Sequence, residues 1–173
     1  LWDMLVLLCV SVAVAVCGVA SYSAGAPAEV CRELAPQHGV SGQTSAAPYS
    51  LRASAKTVKG GQRVEVVLSG KGAADTVRGF VIQARRGDQP VGTFSVLPGD
   101  PHVQVLRCGE SDNTVTHKKH DTKEDRQTVT FMWQAPKDIT GPVTFRYVRV
   151  TSVRNSGYVF WEGLQSRPLT VTN

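Results

Sequence analysis

The chain reads as an all-β protein, specifically an antiparallel two-sheet, immunoglobulin-like β-sandwich of eight or nine strands. Three observations carry that expectation. Apolar residues recur with period two in short runs, as in Val64, Val66 and Leu68 or Val129, Phe131 and Trp133. Turn chemistry such as Gly70-Lys71-Gly72 and Gly141-Pro142 separates the runs. Finally, glycines, prolines and β-branched residues interrupt every window in which a helix of ordinary length would fit.

Residues from Met4 to about Ala20 are apolar apart from Ser11, and Gly18-Val19-Ala20 satisfies the small-x-small rule for signal peptidase. Position, length and the polar chain that follows identify residues 1–20 as a signal peptide, cleaved somewhere between 20 and 24, with a retained anchor as the alternative. The chain opens on Leu1, and Asp3 stands where a positive n-region is usual, so residues upstream of Leu1 or a true start at Met4 are expected. The expected localisation is secreted and extracellular.

From Ala24 to Pro48 the composition is Ala, Gly, Ser, Pro and Gln around a brief Val30-Cys31-Arg32-Glu33-Leu34, which predicts an irregular lead-in held down by its cysteine. Strands are then predicted at Tyr49-Ser50-Leu51, around Val64 to Leu68, and at Gly79 to Arg85. In the last of these, Phe80, Ile82 and Ala84 share one face; Gly79, Val81, Gln83 and Arg85 share the other. The first face reads as a core seam and the second as lying near solvent. Further candidates are Val91 to Val96, Val103 to Leu106 and Thr114 to Thr116. Val129, Phe131 and Trp133 form a face of the next strand, which Ala135-Pro136 ends. In Val143 to Val150 the faces conflict, because Arg149 falls in line with Val143, Phe145 and Tyr147; a bulge or an exit from the core near Val148 would resolve it. Tyr158 to Trp161 and Leu169 to Val171 close the series.

Cys9 and Cys17 leave with the leader, so Cys31 and Cys108 remain and have one intramolecular pairing in an oxidising compartment. Neither has a second cysteine or histidine at zinc-ligand spacing. Loss of Asp3 raises the formal charge from +5 to +6, which suits anionic surfaces such as lipopolysaccharide, teichoic acid or sulfated glycans. The extracellular compartment argues against nucleic acid, and no stable membrane insertion is expected.

Arg78-Gly79-Phe80-Val81-Ile82-Gln83-Ala84-Arg85, followed by Gly92-Thr93-Phe94, resembles the signature of the reeler (reelin amino-terminal) domain family. Cys31 ahead of Pro36-Gln37-His38, Pro48-Tyr49, Leu106-Arg107-Cys108 and Val115-Thr116-His117 match further elements of that family. So do Phe131-Met132-Trp133-Gln134-Ala135-Pro136, Gly141 to Phe145, and Tyr158 to Trp161. The resemblance covers residues 31–172, taken as one reeler domain. A leader plus a single such domain is the layout of the insect-type secreted defence proteins. The resemblance therefore implies a non-enzymatic innate-immune protein that binds microbial surface polysaccharide or lipopolysaccharide and promotes aggregation or antimicrobial activity. The alternatives are an extracellular-matrix or adhesion module binding sulfated glycans, and a fragment of a larger reeler protein such as a ferric-chelate reductase.

The search for reaction chemistry yields no nucleophile elbow, phosphate-binding glycine loop or His-Glu-x-x-His, so no catalytic residue, cofactor or metal is expected. His117 and His120 sit three apart but flank Lys118-Lys119, which would repel a cation. Glu110 and Asp112 lack an EF-hand pattern and read as a solvated turn. The run His117 to Arg126 mixes charge signs and reads as a flexible solvated loop. Candidate anionic-ligand contacts are Arg85, Arg86, Lys118 and Lys119, with Arg85 placed on the outward face for bidentate contact. Trp133 reads as core because it shares a face with Phe131 and Val129.

Overall fold

The computed structural model describes residues 24–35, 41–153 and 157–173; the predicted leader and His38 lie outside the described residues. The strands are β1 (Tyr49–Ala53), β2 (Thr57–Lys59), β3 (Arg63–Gly70), β4 (Gly79–Arg86), β5 (Gln89–Pro90) and β6 (Thr93–Ser95). They continue with β7 (Val103–Cys108), β8 (Ser111–His117), β9 (Thr128–Gln134), β10 (Gly141–Val153), β11 (Gly157–Gln165) and β12 (Leu169–Thr172). Short 3-10 turns lie at Ala28–Cys31 and Thr122–Glu124.

One sheet has the order β1-β3-β9-β6; the other runs β2-β12-β10-β4-β8-β7, with β11 also on β10 and β5 on β4. The two-sheet β-sandwich is the architecture that the alternation predicts. Two details differ from expectation. More strands are present than eight or nine, because β2 and β5 are only three and two residues long and too short to show periodicity, whereas β6 lies within the run expected at Val91 to Val96. The pairing of β12 with β2 is parallel, while all other strand pairs are antiparallel among the described residues.

The core between the sheets follows the alternation. Val64, Val66 and Leu68 of β3 and Val129, Phe131 and Trp133 of β9 meet Phe80, Ile82 and Ala84 of β4 and Val143, Phe145 and Tyr147 of β10. Trp133 is completely buried, edge-on to Phe145 at 5.5 Å, and its Nε1 donates to the Val91 carbonyl at 3.0 Å. That satisfied N–H is what allows an indole in a dry core. Gly92 lies beside it at φ +71°, where a Cβ would run into Gln134 and the indole. At the point of conflict expected in β10 there is a register shift against β11 between Tyr147 and Arg149, but the extra residue lies in β11, and the pairing of β10 with β4 runs unbroken from Thr144 to Val150. Val148 then faces away from the core with Val81. Between β11 and β12, Ser166 fills the gap in the ladder: its hydroxyl accepts from Phe145 N at 3.0 Å and its N–H donates to the Phe145 carbonyl at 2.9 Å.

A second, smaller core sits on the outer face of the larger sheet. Val30 and Leu34 from the lead-in pack on Val81 and Val148, with Ala26 and Leu106 at the edges. Residues 24–34 thus form a strap across β4, β8 and β7.

Candidate functional site

The strap changes what the outer face of β4 is for. Cys31 in the strap and Cys108 at the end of β7 form the predicted disulfide, with Cα atoms 5.5 Å apart. The polar side chains beneath serve the strap's backbone. Thr116 Oγ1 accepts from Ala26 N at 3.1 Å and donates to the Phe80 carbonyl at 2.8 Å. Gln104 Nε2 donates to the Ala24 carbonyl at 2.7 Å. Gln83, fully buried, donates through Nε2 to Thr114 Oγ1 at 3.0 Å.

Arg85 belongs to the same network, which corrects its expected position on an open outward face. It is 6% exposed, and every residue of β4 except Arg86 is buried. Its Nε donates to Gln83 Oε1 at 2.6 Å, and its Nη2 donates to the carbonyls of Arg32 at 2.7 Å and Cys31 at 3.2 Å. The reason is that a period-two pattern distinguishes two faces but does not say what covers either one. Burial holds the Arg85 guanidinium below its usual range, the Arg146 guanidinium depresses it further, and Asp88 acts in the opposite direction.

The other candidates scatter. Arg86 is exposed at the end of β4, and Lys119 is exposed beyond β8. Lys118 is half-buried and donates through Nζ to the Asp100 carbonyl at 2.6 Å. Val81 is opposite Thr116 and Gln83 opposite Thr114, so the lysines extend past Gly79, at the other end of β4 from Arg85 and Arg86. At strand rise the separation is about 20 Å, so the two pairs do not form one patch.

The run from His117 to Arg126 is likewise not a solvated loop throughout. His120, with 4% of its side chain exposed, contacts Asp125 Oδ1 through Nε2 at 2.9 Å and the Lys118 carbonyl through Nδ1 at 2.8 Å. Its ring centroid is 4.7 Å from that of buried His102, an adjacency between distant segments that spacing does not reveal. No group of three or more His, Cys, Asp or Glu side chains among the described residues is placed to hold a metal.

Beside the disulfide, the end of the strap, the start of the β4–β5 turn and β10 enclose an open cleft of about 700 Å³. Arg32, Glu33, Arg85, Asp88 and Arg146 line it along with both half-cystines. Arg146 is opposite Gln83 in the β10–β4 register, which places it diagonally from Arg85. Its Nη1 donates to Asp88 Oδ1 at 2.8 Å, and the Asp88 side chain is 85% exposed. Sequence reasoning missed Arg32 and Arg146 as site residues. A signal for Arg146 existed, since it alternates with core residues Phe145 and Tyr147 and so belongs to the outer face.

No helix among the described residues is long and apolar enough to cross a membrane. A family model described as Reeler domain matches residues 29–173. The chain is 44% identical over 171 residues to "Putative defense protein Hdd11" of Hyphantria cunea, covering 99% of both chains. It is 45% identical over 151 residues to "Putative defense protein" of Bombyx mori, covering 87% of this chain and 86% of that one. The Reelin-N domain of F-spondin superposes with a TM-score of 0.61 at 20% identity, covering 84% of this chain and 97% of that one, which shows a shared fold. The signature strand, the disulfide, the two-sheet architecture and these matches agree: the chain belongs to the reeler domain family.

Proposed function

We propose that this protein is a secreted, non-enzymatic defence protein that binds anionic microbial surface polysaccharide or lipopolysaccharide and promotes aggregation or antimicrobial activity. The observation that carries the reading is the end-to-end similarity to the Hyphantria cunea protein, whose name assigns it to defence. Two physical features support it. A formal charge of +5 gives long-range attraction to phosphate- and carboxylate-bearing surfaces. The Cys31–Cys108 disulfide fits a protein that matures in an oxidising compartment, where a leader at residues 1–20 would direct it.

Attraction of this kind is screened within about 10 Å at 0.1 M salt, so binding should weaken steeply with ionic strength. The test is retention of the purified mature protein on immobilised lipopolysaccharide, β-glucan and heparin at low and at physiological salt. Salt-sensitive retention on lipopolysaccharide or β-glucan is expected. Retention on heparin alone would replace the reading with an adhesion module, and no retention on any of the three would overturn it.

A further inference from the structure

The cleft beside the disulfide has the electrostatics of a site for a single oxyanion. Arg85 is 94% buried, yet all three of its protein acceptors are neutral: two strap carbonyls and an amide oxygen. Among the described residues nothing accepts from its second terminal nitrogen, Nη1, which is also absent from the fully enclosed unpartnered atoms. Arg85 lines the cleft, and Nη1 is the donor it has left to offer there. A guanidinium taken this far out of water ordinarily acquires a negative partner, because its desolvation cost is several kcal/mol. Asp88 does not supply one by contact. Its carboxylate is turned to Arg146 at 2.8 Å and is mostly in solvent.

Arg146 completes the arrangement. Diagonal neighbours on adjacent strands are about 7–8 Å apart at Cα, a spacing from which two guanidinium groups converge on one small anion. The Arg146 guanidinium disfavours the charged form of Arg85, a repulsion that an anion between them would reverse. Arg32, from the strap, lines the same cleft. The disulfide fixes the strap's distance from β7, so the mouth is held open at a set width without a ligand.

We propose that Arg85 and Arg146, with Arg32 at the rim, bind one oxyanion group (phosphate, sulfate or carboxylate) carried on a sugar. This deepens the reading of the protein as a binder of anionic glycans and rests on it for the identity of the carrier. Arg85 is the pre-oriented base of the site: its Nε and Nη2 are already committed, leaving Nη1 to donate. Arg146 is the adjustable member, released from Asp88 as the anion enters.

The experiment is calorimetric titration of the oxidised protein with glucose 6-phosphate, glucose 6-sulfate and glucuronate, with glucose as the neutral control. Binding of at least one anionic sugar and none of glucose is expected, and the order among the three identifies the group. Arg146→Gln should weaken that binding about tenfold or more, the worth of one charged hydrogen bond. Asp88→Asn should strengthen it, because the competing carboxylate is gone, whereas Lys119→Gln should leave it unchanged. Arg32→Gln provides a second rim variant whose exposed position spares the fold. Equal binding of glucose, or affinities within twofold of wild type in both Arg146→Gln and Arg32→Gln, would overturn the assignment. Lipopolysaccharide retention undiminished in Arg146→Gln would also overturn the cleft while sparing the preceding function. Tight binding of the small anions without polysaccharide retention would support the cleft and overturn that function.

Discussion

Substituting Arg85 by alanine tests whether the outer face of β4 is a solvated surface or an interior. A solvated arginine is worth little, and its replacement normally changes stability by less than about 0.5 kcal/mol. The structure predicts a larger effect from the partners left behind. Arg85→Ala removes the donor to Gln83 Oε1, an atom of a fully buried side chain, and the donor to the carbonyls of Cys31 and Arg32. An orphaned buried acceptor costs about 1–3 kcal/mol. The strap carbonyls lie nearer solvent and recover part of their loss from water. The arginine's recovered hydration offsets some of the remainder. The expected net cost is about 2–3 kcal/mol, read as a fall of about 1 M in the urea midpoint at a slope typical of small domains. Arg86→Ala, one residue further and exposed, should leave the midpoint within about 0.5 kcal/mol. The double variant Gln83→Leu/Arg85→Met removes the buried Gln83 acceptor together with its donor and should recover that part of the loss, because replacing both partners is far cheaper than orphaning one. Equal midpoints for Arg85→Ala and Arg86→Ala, or no recovery in the double variant, would refute the reasoning.

The remaining predictions concern the strap, the core and its protonation. Replacing Cys31 and Cys108 together by serine opens a loop with a sequence separation of 77 and should cost about 4.5 kcal/mol in the chain-entropy model, measured by urea unfolding against the oxidised parent. Burial raises the Tyr147 pKa, so its contribution to stability is complete below the unfolded value of about 10 and is lost as pH rises through the folded one. Tyr147→Phe should therefore move the alkaline unfolding midpoint, followed by circular dichroism, to higher pH. Gly92→Ala places a Cβ against the Gln134 carbonyl and Trp133 Nε1 in a left-handed backbone, and should cost about 2 kcal/mol, or roughly 4–8 °C in a thermal scan.

The sandwich was legible because its two inner faces obey the period-two rule without interruption: the core positions of β3, β4, β9 and the first half of β10 are those the alternation picks out. The irregularity near Val148 was legible as a conflict, Arg149 falling in line with Phe145 and Tyr147, but the extra residue belongs to β11, a partner strand that the pattern of β10 does not describe. What escaped was set by tertiary contact between distant segments. Val58 of β2 reads as nothing in particular among Thr57 and Lys59, and its strand exists because β12 supplies a parallel edge. His120 reads as part of a charged run, and its burial follows from His102, eighteen residues upstream, packing on it.

The misplacement of Arg85 follows from the same cause, yet the sequence contained what was needed to avoid it. The outer face of β4 was assigned to solvent because Gln83 and Arg85 lie on it. Val81 shares that face, however, and so does Val148 of the neighbouring strand, both buried in the structure. A fully solvated strand has no need of either. The lead-in carries Val30 and Leu34 on both sides of a cysteine, and that cysteine's partner lies in β7, two strands from β4. A disulfide to β7 draws the residues around Cys31 onto a face of this sheet, and the inner face is already filled by aromatic side chains. The strap must then lie on the outer one, and the polar residues there become partners for its backbone, since a segment without regular structure has N–H and C=O groups to satisfy. A cation near the strap's end, between a covered face and open solvent, is thereby both buried and reachable. That is the position Arg85 occupies, and it is why the residue first singled out as a surface contact serves instead as the floor of a cleft.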